Sequence, residues 1–140
     1  MRQVGWIIAG CIVMAAAPAW AEPSANDQPA AIASAEAWLA LTDAGDYAKS
    51  WDEAAAYFQT AVTQAQWGQS LTAVRAPLGA VVSRTLRVAM PATRLPGAPD
   101  GEYVIIQYDT VFASKSVAVE TVTPMRQADG AWKVAGYYIK

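Results

Sequence analysis

Two charged residues stand in stretches where alternate residues are otherwise apolar, and they are the first candidates for a functional site. Arg84 lies within 82–88 and Glu120 within 118–122, and both stretches have the period of a half-buried strand. A buried charge without a partner is costly, because it loses its hydration. Arg84 and Glu120 therefore pair with each other or with groups at helix ends, or line a pocket and bind a polar group of a ligand, or stand on a solvated face.

A second set of candidates combines one carboxylic acid with several phenols: Tyr103, Tyr108, Asp109, Tyr137 and Tyr138. In an apolar cavity such a set resembles the equipment of proton-transferring isomerases, with Asp109 as the base and a tyrosine hydroxyl bound to the developing oxyanion. Tyr108 and Asp109 are adjacent on a predicted strand, so their side chains point to opposite faces of the sheet. Tyr108 and Tyr137, with Arg84 and Glu120, are the candidate ligand-binding residues.

The composition excludes several classes of chemistry. The chain has no histidine and one cysteine, Cys11, so an intrachain disulfide, a Cys/His zinc site and a histidine-dependent triad are ruled out. Lys and Arg number 10 against 12 Asp and Glu, which is not the basic footprint of a nucleic-acid-binding protein. Asp46, Asp52 and Glu53 surround a predicted helix start, where acids complement the helix dipole. We predict neither a metal site nor a cofactor.

Residues 1–21 have the three parts of a secretory signal peptide. Arg2 is positively charged, the stretch 4–17 is apolar, and Ala19-Trp20-Ala21 fits a cleavage site with small residues at its first and third positions. Cleavage after Ala21 would release a periplasmic or secreted protein that is not stably inserted in a membrane.

Two other interpretations of this segment remain open. The run 8–11 (IAGC) resembles a lipobox and would leave a lipidated Cys11, although the apolar run continues through 12–15 where a polar tether is expected. An uncleaved anchor would use the stretch 4–21, which is near the minimum length for a bilayer span. All three interpretations place residues 22–140 outside the cytoplasm.

The rest of the chain divides into a flexible lead-in at 22–30 and a single domain at 31–140. In the first half of the domain, apolar residues recur at steps of three and four, which indicates amphipathic helices. Thr63-x-x-Gln66 is a capping box and predicts a helix start. Three helices are expected, at about 29–44, 46–62 and 63–76. The aromatic residues at this spacing are predicted to lie in the core: Trp38, Tyr47, Trp51, Phe58 and Trp67.

The second half of the domain alternates with period two and is rich in β-branched and aromatic residues. Asp100-Gly101 and Asp129-Gly130 predict hairpin turns, and Ala113-Ser114 predicts a short link. Such links imply an antiparallel meander. Helices followed by strands indicate an α+β fold, with about three helices covering a four-stranded sheet in a cystatin-like or nuclear-transport-factor-like cone. The strands are predicted at about 80–90, 102–113, 115–126 and 131–140.

Several segments together resemble an exported bacterial family known as domain of unknown function 4019. They are the run 38–47 (WLALTDAGDY) with Ser50-Trp51, the run 75–79 (RAPLG) followed by Arg84, then Tyr103, 108–110 (YDT) and Phe112, then 120–122 (ETV), and 130–139 (GAWKVAGYYI). The resemblance covers about 30–140 and implies an exported single domain. It implies no activity, substrate or cofactor.

Three functions follow from these observations. The leading hypothesis is a non-enzymatic exported domain that binds a small molecule or a protein partner, because an export signal and an aromatic interior accompany no catalytic constellation. The alternative in another class is a cone-fold isomerase or hydrolase that uses Asp109 or Glu120. The third is a structural or assembly role through a free sheet edge. A hollow between helices and sheet, lined by polar groups, would favour ligand binding.

Overall fold

The computed structural model describes residues 27–140, so the predicted signal peptide, the alternative lipidation of Cys11 and residues 22–26 of the lead-in lie outside the described residues. The first helix begins at Gln28, so the last residues of the predicted lead-in already belong to it. No helix in this part of the chain is long and apolar enough to cross a membrane. The elements are α1 (Gln28–Asp43), α2 (Tyr47–Asp52), α3 (Ala56–Ala61), α4 (Gln64–Val74), a 3-10 helix (Ala76–Leu78), β1 (Val81–Ala92), β2 (Tyr103–Phe112), β3 (Lys115–Arg126) and β4 (Trp132–Ile139).

The four strands form one antiparallel sheet in the order β1-β2-β3-β4, which confirms the predicted α+β fold with a meander. Between β2 and β3 the link 113–114 is short, and its amides are satisfied by the chain before β1. Ala113 N–H donates to Ala80 O at 2.8 Å, and Ser114 N–H donates to Leu78 O at 2.9 Å. The β3–β4 turn contains Gly130 with φ +86°, a conformation that favours glycine.

The predicted second helix is wrong in one respect, because it is divided into α2 and α3. The first of these helices ends at Asp52, and the backbone is extended at Ala55, where ψ is 149°. The Ala55 N–H donates to Val134 O of β4 at 2.8 Å. The Gln59 amide donates to Trp51 O and Asp52 O, both at 3.0 Å. These bonds satisfy carbonyls at the break and replace helical hydrogen bonds. A tertiary contact with the sheet therefore overrides a helical apolar pattern.

Aromatic rings fill the centre of the space between helices and sheet, and of the five predicted core aromatics three are buried while Tyr47 and Trp51 are half-buried against them. Trp38, Phe58 and Trp67 are buried, and Tyr137 of β4 packs against this cluster. The ring centroids of Phe58 and Trp67 lie 4.8 Å apart in an edge-to-face contact, and those of Trp38 and Tyr137 lie 5.3 Å apart. Offset contacts of this kind add to the stabilisation from apolar burial.

Ser50 connects three helices through the indoles. Its carbonyl oxygen accepts the Trp38 indole N–H at 2.8 Å, and its hydroxyl oxygen accepts the Trp67 indole N–H at 2.9 Å. The same hydroxyl donates to Tyr47 O at 2.6 Å. A buried indole needs an acceptor for its N–H. Ser50, which is itself buried in α2, therefore fixes the positions of α1 and α4 relative to α2.

We expect Ser50→Ala to lower the free energy of unfolding by about 1–3 kcal/mol, because it leaves the buried Trp67 N–H without an acceptor. The better helix propensity of alanine offsets only a small part of this loss. Thr60→Ala is the matched control, since the Thr60 hydroxyl donates to Tyr57 O at an exposed site. Urea unfolding measures both variants, and equal losses would contradict the connecting role of Ser50.

Candidate functional site

Arg84 and Glu120 pair with each other inside the fold. The Arg84 Nε donates to Glu120 Oε1 at 2.7 Å, and the Thr110 hydroxyl donates to the same oxygen at 2.6 Å. The Tyr137 hydroxyl donates to Glu120 Oε2. Both carboxylate oxygens are thus occupied, and Glu120 is 0% exposed. These side chains come one from each strand, so the Glu120 carboxylate is held by hydrogen bonds from β1, β2 and β4.

The sheet register brings these four residues together. Arg84 is the direct cross-strand partner of Thr110, while Thr110 and Tyr137 are diagonal neighbours of Glu120 on the strands beside it. Side chains at alternate positions share a face, and diagonal neighbours are within reach of long side chains. The face they share is the one that the helices cover. An antiparallel meander therefore converts four distant sequence positions into one hydrogen-bonded row.

Asp43, which was not a candidate from the sequence, extends this row to the helices. Its carboxylate accepts from Arg84 Nη1 at 2.8 Å and Nη2 at 3.0 Å, and from Arg75 Nη2 at 3.1 Å. Arg75 also donates to Gly79 O at 2.7 Å, and its guanidinium lies 4.6 Å from the centre of the Phe112 ring. We call the six residues of this network the polar cluster: Asp43, Arg75, Arg84, Thr110, Glu120 and Tyr137.

A signal for Asp43 was present in the sequence. Asp43 is the last residue of α1, where the negative end of the helix dipole disfavours an acid. An acid at that place needs a cation, and two arginines supply it. The polar cluster then holds two carboxylates and two guanidinium groups, which balance.

The environment of the polar cluster shifts several pKa values. Burial alone would raise the pKa of Asp43, but the hydrogen bonds and charges of Arg84 and Arg75 outweigh burial and hold that pKa below its ordinary value of 3.8. Burial and the adjacent Glu120 charge raise the pKa of Tyr137, because both oppose a phenolate. Burial of Arg84 opposes its charge, yet its bonds to Asp43 and Glu120 raise its pKa further. All three groups keep their ordinary charge state at neutral pH.

Tyr108 is the one ligand-binding candidate that stays apart from the polar cluster. It is buried and lies directly across from Glu120 in the sheet, but among the described residues no hydrogen bond joins its hydroxyl to the polar cluster. Burial raises the pKa of Tyr108 to about 12, and the Glu36 carboxylate adds to the shift. Of the four candidates, the structure therefore brings Arg84, Glu120 and Tyr137 together and leaves Tyr108 as a neighbour.

The acid–phenol arrangement of an isomerase does not assemble around Asp109. Its side chain is 60% exposed on the face of the sheet away from the helices, where Asp109 Oδ1 lies 3.7 Å from Arg87 Nη1. Glu120, the other acid, already accepts three hydrogen bonds. No group of three potential metal ligands occurs within 27–140. Asp109 is therefore exposed on the open face of the sheet, and Glu120 is hydrogen-bonded in the interior.

Two surface grooves adjoin β4, and another, of about 330 Å³, lies on the open face of the sheet with Asp109 and Thr110 among its lining residues. The first, which we call the tryptophan groove, has a volume of about 280 Å³ and lies between α1, the end of α2 and β4. Its walls include Trp38, Asp52, Glu53 and residues 132–134. The second has a volume of about 220 Å³ and lies between the 93–102 loop and β4, and its lining includes the candidates Tyr103, Tyr137 and Tyr138. Neither groove is lined by Arg84 or Glu120, so neither uses the predicted charged pair.

Replacing Glu120 tests the polar cluster as a unit. We expect Glu120→Gln to lower the free energy of unfolding by about 3–5 kcal/mol, because a buried ion pair then loses one partner. Asp109→Asn removes the same charge from an exposed pair and should change the stability by less than about 1 kcal/mol. Urea unfolding of both variants gives the comparison. A small loss in Glu120→Gln would show that the buried pair contributes little.

Acid should destabilise the fold through Asp43. Its pKa is lower in the folded chain, so the ionised carboxylate contributes stability that is fully present above the unfolded value near 3.8 and is lost as the pH falls through the folded value. Asp43→Asn cannot titrate, so its unfolding free energy should be lower at neutral pH and should vary less with pH in the acid range. Equal acid dependence in both proteins, measured by urea unfolding, would contradict this linkage.

Comparison with known proteins identifies a family but no function. The family model described as "Protein of unknown function (DUF4019)" matches residues 34–137. No curated protein and no solved structure matches the chain. The matched region contains all six residues of the polar cluster and both walls of the tryptophan groove. Because the match spans well over half of the sequence, the protein belongs to the DUF4019 family of proteins of unknown function.

Proposed function

We propose that this protein is an exported domain that binds a small molecule or a protein partner and does not catalyse a reaction. The observation that carries the proposal is the state of Glu120, whose two oxygens are occupied by Arg84, Thr110 and Tyr137 at a fully buried site. A general base must reach a proton on its substrate, and Glu120 has neither a free oxygen nor access. Asp109 has access but stands on an open surface without a phenol bound to it.

Export is part of this proposal, and the pattern of residues 1–21 supports it. The positive start, the apolar run and the small residues at Ala19 and Ala21 are those of a cleaved signal peptide. The grooves beside β4 provide concave surfaces where a ligand or partner could be held.

A second candidate function is assembly through the edge of the sheet. One of the two edges is covered by helices, and the other is open. On the β4 side, the Ser34 hydroxyl donates to Trp132 O and the Ala55 N–H donates to Val134 O, so helices cover that edge. On the other side, β1 pairs only with β2. Three apolar side chains of β1 are exposed: Val82, Leu86 and Met90. Such an edge can accept another strand, although two bulges in β1 oppose long pairing.

Mass spectrometry of the full-length protein expressed with its own N-terminus tests these proposals in one sample. The denatured mass of the exported protein should correspond to a chain beginning at Glu22. The native mass should show a monomer with bound ligand, or a complex with a second protein. An acylated start at Cys11 would overturn the proposed cleavage. A dimer without bound ligand would overturn the binding proposal and support assembly through the sheet edge. A reaction abolished by Glu120→Gln, at a temperature where that variant is folded, would overturn the non-catalytic proposal.

A further inference from the structure

The tryptophan groove carries an uneven distribution of charge. Its lining includes the carboxylates of Asp52 and Glu53 and the ammonium of Lys133, which leaves one negative charge in excess. The groove therefore favours a cation over an anion.

Each of the two carboxylates can still accept a hydrogen bond from a ligand. Asp52 is held by the Gln64 amide through Oδ1, at 3.0 Å, which orients the group and leaves Oδ2 for another donor. Glu53 makes an ion pair with Lys49 at 3.9 Å, but the two side chains are 54% and 62% exposed, respectively. Exposed pairs of this kind contribute about 0–1 kcal/mol, so a better-placed cation can displace the lysine.

The rest of the lining is partly apolar: beside Ser34 and Lys133 it includes Ala37, Val134 and small exposed parts of Trp38 and Trp132. Trp38 and Trp132 are both largely buried, and the groove exposes part of their surfaces. The Trp38 N–H is bound by Ser50 O at 2.8 Å, and the Ser34 hydroxyl holds Trp132 O at 2.6 Å. Indole rings attract cations and also pack well against methylene groups. The first bond fixes the Trp38 ring and the second fixes the backbone at Trp132, so a ligand would not need to form the groove.

We propose that the tryptophan groove binds a primary amine carried on an alkyl chain, with the ammonium between Asp52 and Glu53 and the chain against Ala37, Val134 and the small exposed parts of Trp38 and Trp132. This inference rests on the proposed binding function and gives it a site and a ligand class. A free polyamine and the lysine side chain of a partner protein share this chemistry. The volume of about 280 Å³ suits one such chain.

The indole N–H resonances provide a direct test by NMR. We expect n-butylammonium, spermidine and a lysine-containing peptide each to shift the Trp132 signal in a saturable manner, with a smaller effect on Trp38. Trp51 is an internal control, because its N–H is bound to Val62 O and it does not line the groove. Neutral n-butanol, which has the same chain without the charge, should produce little shift. No Trp132 shift with any amine would overturn the proposal.

Matched variants separate this site from a general effect of charge. Asp52→Asn and Glu53→Gln should each weaken amine binding by about tenfold, the effect of losing one charged hydrogen bond. Asp109→Asn removes the same charge from the opposite face of the sheet and should leave the affinity unchanged. Lys133→Gln should strengthen binding. Equal affinities in all four variants would overturn the assignment of the ammonium to Asp52 and Glu53.

The amine titration and the search for ligands can fail separately. A ligand found by native mass spectrometry that leaves Trp132 unshifted would overturn the groove proposal and keep the binding function. Tighter binding of spermidine than of the lysine-containing peptide would identify a small-molecule ligand, and the reverse order would identify a protein partner.

Discussion

The fold depends on hydrogen bonds and an ion pair that offset the cost of burying one carboxylate in an apolar interior. Glu120 is fully buried on β3, and it is tolerated because Arg84, Thr110 and Tyr137 donate to it from the other three strands. A slip of one residue in any strand would turn that donor to the other face of the sheet and leave the carboxylate unsatisfied. The charged group thus contributes to the choice of register in addition to its contribution to stability.

The same compensation connects the sheet to the helical layer. Asp43 at the end of α1 binds Arg84 of β1 and Arg75 at the end of α4, so the ion pairs join elements that are distant in the sequence. Ser50 performs a comparable role inside the helical layer by binding two indoles. Polar contacts at a few buried points therefore complement the non-directional packing of the aromatic rings, and they select one arrangement of helices.

This arrangement also bears on function. Both oxygens of the interior acid Glu120 are occupied, and the space between helices and sheet contains Trp38, Trp67 and Tyr137. Concave surfaces whose polar groups can still form hydrogen bonds lie where the helices meet β4. Family membership adds no activity, so the proposed binding function rests on which polar groups are already hydrogen-bonded within the fold and which are not.

The sequence by itself was sufficient for the α+β fold, the four strands and the aromatic core, because period, turn residues and capping are local properties. It also indicated that Arg84 and Glu120 needed partners, since each charge interrupts an apolar face. The tertiary structure alone decided that they bind each other, that Asp43 joins them, and that the predicted second helix breaks at Ala55. Arg84 and Asp43 are 41 residues apart, and the Ala55 N–H is bound by a strand near the end of the chain. Contacts of that separation leave no local pattern, because they exist only after the chain has folded.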